Sequence, residues 1–218
     1  MNKRNTEGAV DVLYQPLAKL ARLVLRGFGK FEVIGAERLP AEGGYVITCT
    51  HRGWIDVIAL GSSLLPTEVH FMAKKELFRK KIADKFLRDI NAFPVDRENP
   101  GPSSLKVPIQ LLKQGKTIGI FPSGTRSSED VPLKRGAVTI AKMAKVPVVP
   151  AAFSGPTTFK GLLRGAKTRI VIGDPIPTVS SEPSEGKKDL GELVDRLALA
   201  MNTLETGLER LDKGHAPE

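Results

Sequence analysis

Cysteine and histidine are scarce in this chain of 218 residues. The single cysteine, Cys49, excludes an intramolecular disulfide and is typical of a protein from a reducing compartment. Because Cys49 lies inside an apolar run, we predict a buried structural thiol rather than a nucleophile. The three histidines, His51, His70 and His215, are far apart in the sequence and form no recognisable metal-binding motif. We therefore predict neither a metal site nor a bound cofactor.

Other absences exclude further classes of protein. The sequence has one tryptophan and two tyrosines and carries no zinc-finger or RNA-stacking motif, so we predict that nucleic acid is not a partner. A Gly-x-Ser-x-Gly motif is missing, which leaves a serine hydrolase without its nucleophile. No apolar run approaches the roughly 20 residues of a transmembrane helix, and no signal-peptide cleavage site follows the polar N-terminus.

Acidic residues are outnumbered by basic ones, 24 against 33, which gives a net charge of +9. A surface of this charge attracts anionic lipid, nucleic acid or an acidic carrier protein. The charge by itself does not choose among these partners, but the position of the basic residues near the N-terminus favours a lipid surface.

The first 30 residues have the pattern of an amphipathic helix. Its apolar face comprises Val10, Leu13, Leu17, Leu20, Val24 and Phe28, and its polar face comprises Asp11, Gln15, Lys19, Arg22, Arg26 and Lys30. A basic polar face of this kind is typical of a helix that lies in a membrane interface. The alternative is that the apolar stripe packs on the protein's own core. We expect Pro16 to divide the segment into a short helix and a longer one that begins at Leu17. The predicted division is a helical segment at residues 1–30 and a domain at residues 31–218.

The remaining sequence alternates short apolar strands with helices. We predict strands at residues 31–35, 45–49, 69–73, 92–95, 117–121, 148–153 and 169–172, and helices at residues 54–65, 76–88, 103–113, 136–145 and 187–211. This alternation is typical of a layered α/β fold with a largely buried sheet, and the length fits one domain. Ligands of such folds bind beyond the carboxyl ends of the strands.

A histidine and an aspartate follow the second predicted strand directly. His51 ends the strand and Asp56 lies five positions later, on the first turn of the next predicted helix. This spacing lets the carboxylate reach one imidazole nitrogen, while the other nitrogen takes a proton from a substrate hydroxyl. We predict a general base and its orienting carboxylate without a protein nucleophile. The structural alternatives are a core histidine and a carboxylate that only caps the helix.

Two other predicted strands are followed by arginines. The strand at residues 117–121 continues into Pro-Ser-Gly-Thr-Arg, which ends at Arg126, and Arg97 follows the strand at residues 92–95. Backbone N–H groups of a tight turn and a guanidinium are suitable ligands for phosphate. The alternative for each arginine is a surface ion pair with a neighbouring acid.

These blocks resemble the glycerolipid acyltransferase superfamily, and in particular its bacterial 1-acyl-sn-glycerol-3-phosphate (lysophosphatidic acid) acyltransferases. His51 and Asp56 match the family's H-x4-D block, and Phe93 with Arg97 resembles its second block. Further matches are Phe121, Pro122, Gly124, Thr125 and Arg126 in the third block, Val149 and Pro150 in the fourth, and Lys74 and Lys75 between the first two. The resemblance extends over about residues 30–175, in the family's order. The departure is Ser123, where the family usually has a glutamate associated with the acyl acceptor.

The resemblance implies a single-domain layered fold with a mixed sheet, in which residues 31–218 form the acyltransferase domain. It implies acyl transfer from acyl-CoA or acyl carrier protein to lysophosphatidic acid, on the cytoplasmic face of an anionic membrane, by a peripheral protein. His51 and Asp56 would be catalytic. The predicted phosphate-binding residues are Arg97, Arg126, Gly124, Thr125, Ser123 and Lys74.

Three alternatives stay open at this point. Ser123 keeps a different acceptor possible, such as another lysolipid or glycerol 3-phosphate itself. A non-catalytic membrane-binding protein is the other class, although the intact His51, Asp56, Arg97 and Arg126 argue against a degenerate site. For Lys74, the alternative is an ordinary solvated lysine.

Overall fold

The computed structural model describes residues 13–96, 102–121, 130–179 and 189–213, without the side chains of 102–103 and 130–133. Within these residues, seven strands form one sheet in the order β1-β7-β6-β2-β5-β3-β4. The strands are β1 (Glu32–Ile34), β2 (Val46–Cys49), β3 (Val69–Lys74), β4 (Ala92–Val95), β5 (Thr117–Ile120), β6 (Val148–Ser154) and β7 (Arg169–Ile172). Neighbouring strands are parallel except β6 and β7, which are antiparallel. The predicted α/β fold with a mostly buried, mixed sheet is confirmed.

Helices cover both faces of the sheet. They are α1 (Tyr14–Gly29), α2 (Trp54–Ser63), α3 (Lys81–Asp89), α4 (Pro102–Lys113), α5 (Asp130–Ala144), α6 (Phe159–Leu163) and α7 (Leu190–Asp212). Successive residues of β2 point to opposite faces: Ile47 packs in the core layer with residues of α1, α2 and α6, and Val46 in the layer with residues of α4, α5 and α7. Because both faces are covered, every residue of β2 is buried.

Several predicted helix boundaries were wrong. The helix expected at residues 76–88 is interrupted, because Lys80 has an extended backbone between a 3-10 turn (Lys75–Phe78) and α3. The short helix α6 was not predicted. Helix α5 begins at Asp130, six residues earlier than expected. Helix α7 begins at Leu190 instead of residue 187, because the Asp189 carboxylate accepts hydrogen bonds from the first-turn N–H groups and caps it.

Helix α1 is continuous from Tyr14, so the predicted break at Pro16 is also wrong. Pro16 lies in the first turn, where a backbone N–H would have no intrahelical acceptor, so the lack of an N–H on proline costs no hydrogen bond. The Tyr14 hydroxyl donates to the Gly61 carbonyl (3.2 Å) and accepts from the Val69 N–H (3.1 Å), and burial raises its pKa to about 12. These bonds anchor α1 to the body of the protein.

The apolar stripe predicted for the N-terminal helix is not buried in the core where the structure describes it. Leu13, Leu17, Leu20 and Phe28 are exposed, and Val24 is half-buried. The fully buried positions of α1 are instead Tyr14, Leu25 and Gly29. The alternative in which the stripe packs on the protein's own core therefore fails for the four exposed residues. Val10 lies outside the described residues.

His70 is expected to make the stability of the fold depend on pH. It is buried in β3, its Nδ1 atom has no hydrogen-bond partner, and burial with nearby Lys116 lowers its pKa from 6.5 to about 4. Between these pH values the unfolded chain binds more protons than the folded one. The contribution of His70 to the free energy of unfolding is therefore fully present above about pH 6.5, and about 3 kcal/mol of it is lost as the pH falls to 4.

Urea unfolding of the wild type and of His70→Leu at several pH values checks this expectation. The difference in stability between the two proteins should shift in favour of the variant as the pH falls from 7 to 4. If the free energies of unfolding of the two proteins changed in parallel over this pH range, the expectation would be contradicted.

Candidate active site

The central strand β2 delivers His51 to the carboxyl edge of the sheet. β2 lies between β5 and β6, and both neighbours are parallel to it. The Thr50 hydroxyl, just before the histidine, accepts a hydrogen bond from the Phe153 N–H (2.9 Å) and fixes the strand end against β6. The side chain of His51 is 43% exposed, so the imidazole reaches the surface from a rigid strand end.

Asp56 is fully buried directly behind this imidazole. Its Oδ1 atom lies 3.1 Å from His51 Nδ1, and its Oδ2 atom accepts hydrogen bonds from the backbone N–H groups of Arg52 (2.5 Å) and Gly53 (2.8 Å). A buried carboxylate is stable only with such partners. Since Nδ1 donates its proton to the carboxylate, Nε2 is the nitrogen with a free lone pair. The carboxylate thus caps α2 with one oxygen and orients His51 with the other.

The loop between His51 and α2 is closely packed. A Cβ atom on Gly53 would lie 3.2 Å from the Thr157 carbonyl oxygen, so a side chain there would push against the loop after β6. The guanidinium of Arg52 pairs with Glu205 of α7 at 3.2 Å. This pair is partly exposed and contributes at most about 1 kcal/mol, but it joins the loop to the last helix.

Two phenylalanine rings connect His51 with the interior. The Phe121 ring centroid lies 5.1 Å from that of His51, and the Phe71 ring stacks on Phe121 at 5.9 Å. The ring of Phe71 occupies the space above Gly119, where a Cβ atom would approach it to 2.7 Å. The glycine in β5 therefore makes room for the Phe71 ring, which lies between Phe121 and the cavity described next.

An apolar cavity of about 370 Å³ lies between α1, α2, α3 and α6. Phe71 lines it from the sheet, and Ile55 and Ile58 line it from α2, on either side of Asp56 in the sequence. The helix that carries Asp56 therefore forms one wall of the cavity. Its lining consists almost entirely of carbon, which suits a hydrocarbon chain rather than a polar ligand.

Comparison with known proteins now identifies the family. The family model described as Acyltransferase matches residues 30–154. A 1-acyl-sn-glycerol-3-phosphate acyltransferase of Bacillus subtilis (strain 168) is 50% identical over 199 residues, which cover 91% of this chain and all of the relative. The chain belongs to the acyltransferase family.

A second relative supports this assignment, and a solved structure shares the fold. A 1-acyl-sn-glycerol-3-phosphate acyltransferase of Streptococcus pneumoniae (strain ATCC BAA-255 / R6) is 37% identical over 215 residues, which cover 97% of this acyltransferase and 77% of the relative. The crystal structure of the 1-acyl-sn-glycerophosphate (LPA) acyltransferase PlsC from Thermotoga maritima has the same fold, with a TM-score of 0.63 and 23% identity over 87% of this chain and 78% of that one.

Most of the predicted phosphate-binding residues of this acyltransferase lie outside the described residues. These are Arg97, Ser123, Gly124, Thr125 and Arg126. Lys74, which is described, is exposed at the end of β3, and the neighbouring Lys75 pairs with Asp96 at 2.5 Å. The phosphate-binding role of all six residues stays a prediction.

Sequence analysis missed several groups that surround His51 and Asp56. The backbone N–H groups of Arg52 and Gly53 could have been anticipated from a glycine placed just before a helix. Phe71 and Glu205 gave no signal, because each reaches the site through the tertiary fold. In the part of the chain that is described, no group of three or more His, Cys, Asp and Glu side chains could hold a metal ion, and no helix is long and apolar enough to cross a membrane.

Proposed function

We propose that this chain transfers a fatty acyl group from an acyl thioester to the sn-2 hydroxyl of 1-acyl-sn-glycerol 3-phosphate, with phosphatidic acid as the product. The observation that carries this proposal is the buried Asp56 carboxylate 3.1 Å from His51 Nδ1, at the carboxyl edge of the sheet. It occurs in a chain that is 50% identical to a protein named for this activity.

The proposed reaction needs a base but no covalent acyl-enzyme. His51 Nε2 takes the proton of the acceptor hydroxyl, and Asp56 stabilises the imidazolium that forms. The resulting alkoxide attacks the thioester carbonyl, the C–S bond breaks, and the proton on His51 passes to the departing thiolate. Direct transfer is supported by Cys49: this thiol is fully buried, and burial raises its pKa far above that of a free cysteine.

The sheet order supports the predicted phosphate contacts. β5, which precedes Ser123 to Arg126, is the parallel neighbour of β2, so the two strands end about 4.8 Å apart. β4, which precedes Arg97, lies three strands from β2, at about 14 Å. We therefore expect Arg126 to bind the acceptor's phosphate from a position close to His51. Arg97 and Lys74 would bind the same phosphate from farther along the edge of the sheet.

We also propose that the protein acts as a peripheral protein on the cytoplasmic face of an anionic membrane. The exposed apolar residues of α1 and its N-cap support this, since water is an unfavourable neighbour for Leu13, Leu17, Leu20 and Phe28. The same helix carries Lys19, Arg22 and Arg26, which suit anionic head groups. The apolar cavity, one wall of which is the helix that carries Asp56, offers room for the hydrocarbon chain of a lipid substrate.

Acyl transfer with defined donors and acceptors tests the reaction. Purified protein is incubated with radiolabelled acyl-CoA or acyl carrier protein, and with 1-acyl-glycerol 3-phosphate, glycerol 3-phosphate or a phosphate-free lysolipid. We expect labelled phosphatidic acid from 1-acyl-glycerol 3-phosphate, and the active donor identifies the thioester. Exclusive use of the phosphate-free acceptor would refute the phosphate role of Arg97 and Arg126, and no product from folded protein would refute the proposed reaction.

A further inference from the structure

Exposed apolar side chains surround the apolar cavity on helices that sequence analysis did not associate with a membrane. On α3, Ile82 is 87% exposed, and Phe86, one turn later, lies on the same helix face. On α6, Phe159 is 60% exposed, and Leu163 follows one turn later. Single exposed apolar residues are normal on protein surfaces, but pairs on two helices that line the same cavity form a patch that needs a partner.

The cavity shows that these helices share one surface with α1. Its lining includes Leu20 of α1, Phe86 of α3 and Phe159 of α6, and each of these side chains is also exposed to solvent. The three residues therefore lie at the rim of one opening. Ile82 and Leu163 extend the apolar surface outward from this rim, one helical turn beyond Phe86 and Phe159.

Basic residues accompany the apolar ones on every helix of the rim. The segment 155–168 contains Lys160, Arg164 and Lys167 and no acidic residue. The segment 79–89 contains five basic residues and two acidic ones. Apolar side chains with flanking cations match the chemistry of an anionic bilayer, which offers hydrocarbon below a negatively charged surface. An acidic protein partner would use the cations but would leave an Ile that is almost fully exposed without a hydrocarbon neighbour.

We propose that α3 and α6 form a second membrane-contact surface, centred on Ile82 and Phe159, which together with α1 seats the opening of the apolar cavity on an anionic lipid bilayer. The inference rests on the proposed function in one respect, that the substrate is a lipid. A three-helix contact fixes the orientation of the protein, whereas α1 alone would leave it free to rotate about one helix axis. The lipid can then enter the cavity without crossing water.

The only tryptophan of the chain supplies a probe of this orientation. Trp54 is 67% exposed at the start of α2, and Ile58, one turn later on the same face, lines the cavity. Tryptophan side chains are favoured at the level of the lipid head groups. The proposed orientation places Trp54 at that level, three residues after His51.

Vesicle flotation tests the surface without any acyl donor or acceptor, so its result is independent of whether the protein makes phosphatidic acid. The double variant Ile82→Ser/Phe159→Ser is compared with wild type on vesicles of phosphatidylcholine mixed with phosphatidylglycerol, and on phosphatidylcholine alone. The matched control is Met143→Ser/Leu199→Ser, which removes two exposed apolar residues from α5 and α7 on the opposite face of the sheet.

We expect the Ile82/Phe159 variant to bind mixed vesicles about tenfold or more weakly than wild type, and the control to bind as wild type does. Brominated lipids should quench the fluorescence of Trp54 in wild type, a measurement that needs no variant. Unchanged vesicle binding by the folded Ile82/Phe159 variant, or absence of quenching on bound wild-type protein, would overturn the proposal. So would equal binding to neutral vesicles, or a wild-type dimer that this variant converts to monomer.

Discussion

Replacing His51 by alanine is expected to lower kcat for acyl transfer by about 10²–10⁴-fold. The imidazole lies at the exposed end of β2. Of its two ring nitrogens, Nδ1 is bonded to Asp56, so Nε2 is the one that can accept a proton from substrate. Without it the acceptor hydroxyl stays protonated and reacts slowly with the thioester. What remains is the rate due to binding and positioning of the two substrates.

The loss should come without unfolding, because the side chain of His51 is partly exposed and makes few core contacts. Urea unfolding of the variant is expected to match that of wild type within about 1 kcal/mol. His70→Gln is the matched control: it removes a histidine from β3, two strands away from β2, and should leave kcat near the wild-type value. Near-normal turnover by folded His51→Ala protein would exclude the base mechanism.

The second large effect is expected for Asp56→Asn, which keeps the size of the side chain and replaces one acceptor oxygen by an NH2 donor. The amide oxygen of asparagine would take the bonds from the N–H groups of Arg52 and Gly53, which the Oδ2 atom accepts now. Its NH2 group would then face His51 Nδ1. That nitrogen becomes the acceptor, the proton moves to Nε2, and the base is blocked, which lowers kcat by up to about 10⁴-fold.

A comparison of two variants separates this role from helix capping. Asp56→Ala removes the cap as well and leaves two backbone N–H groups without their acceptor, at a cost of about 1–3 kcal/mol for each in the free energy of unfolding. Asp56→Asn should keep most of that stability. The double variant His51→Ala/Asp56→Asn should be no slower than His51→Ala alone, because the aspartate acts through the histidine. Additive losses in kcat would show that Asp56 acts on the substrate directly.

The fold and the centre of the site could be predicted because their signals are local. Each buried strand is a short apolar run, and the histidine and aspartate lie within six residues on the strand and helix that position them. The same reasoning failed at Lys80, where the helix breaks inside a run of basic residues that contains neither glycine nor proline. The 3-10 turn before this break packs against β4. That contact is made in the tertiary structure, so the local sequence carries no signal for the break.

Contacts between distant segments could not be predicted. The partner of Arg52 is Glu205, 153 positions later, and Phe71 reaches His51 only through Phe121. The exposure of Ile82 is a similar case: an isoleucine one turn before a phenylalanine on an amphipathic helix is the usual pattern of a buried stripe. The tertiary structure reveals that α3 leaves Ile82 in solvent, because none of the described elements covers it.

The ion pair between Arg52 and Glu205 has a consequence for the protein while it is being synthesised. The ribosome synthesises Arg52 153 residues before Glu205, so the loop that joins His51 to Asp56 is made long before the helix that holds it. Until α7 is present, the core layer formed with α4 and α5 lacks Leu193, Leu197 and Met201, and its apolar face is exposed to water. A nascent chain therefore carries His51 and Asp56 without a finished fold until α7 has been made, and depends on chaperones or on its own speed of folding to avoid aggregation.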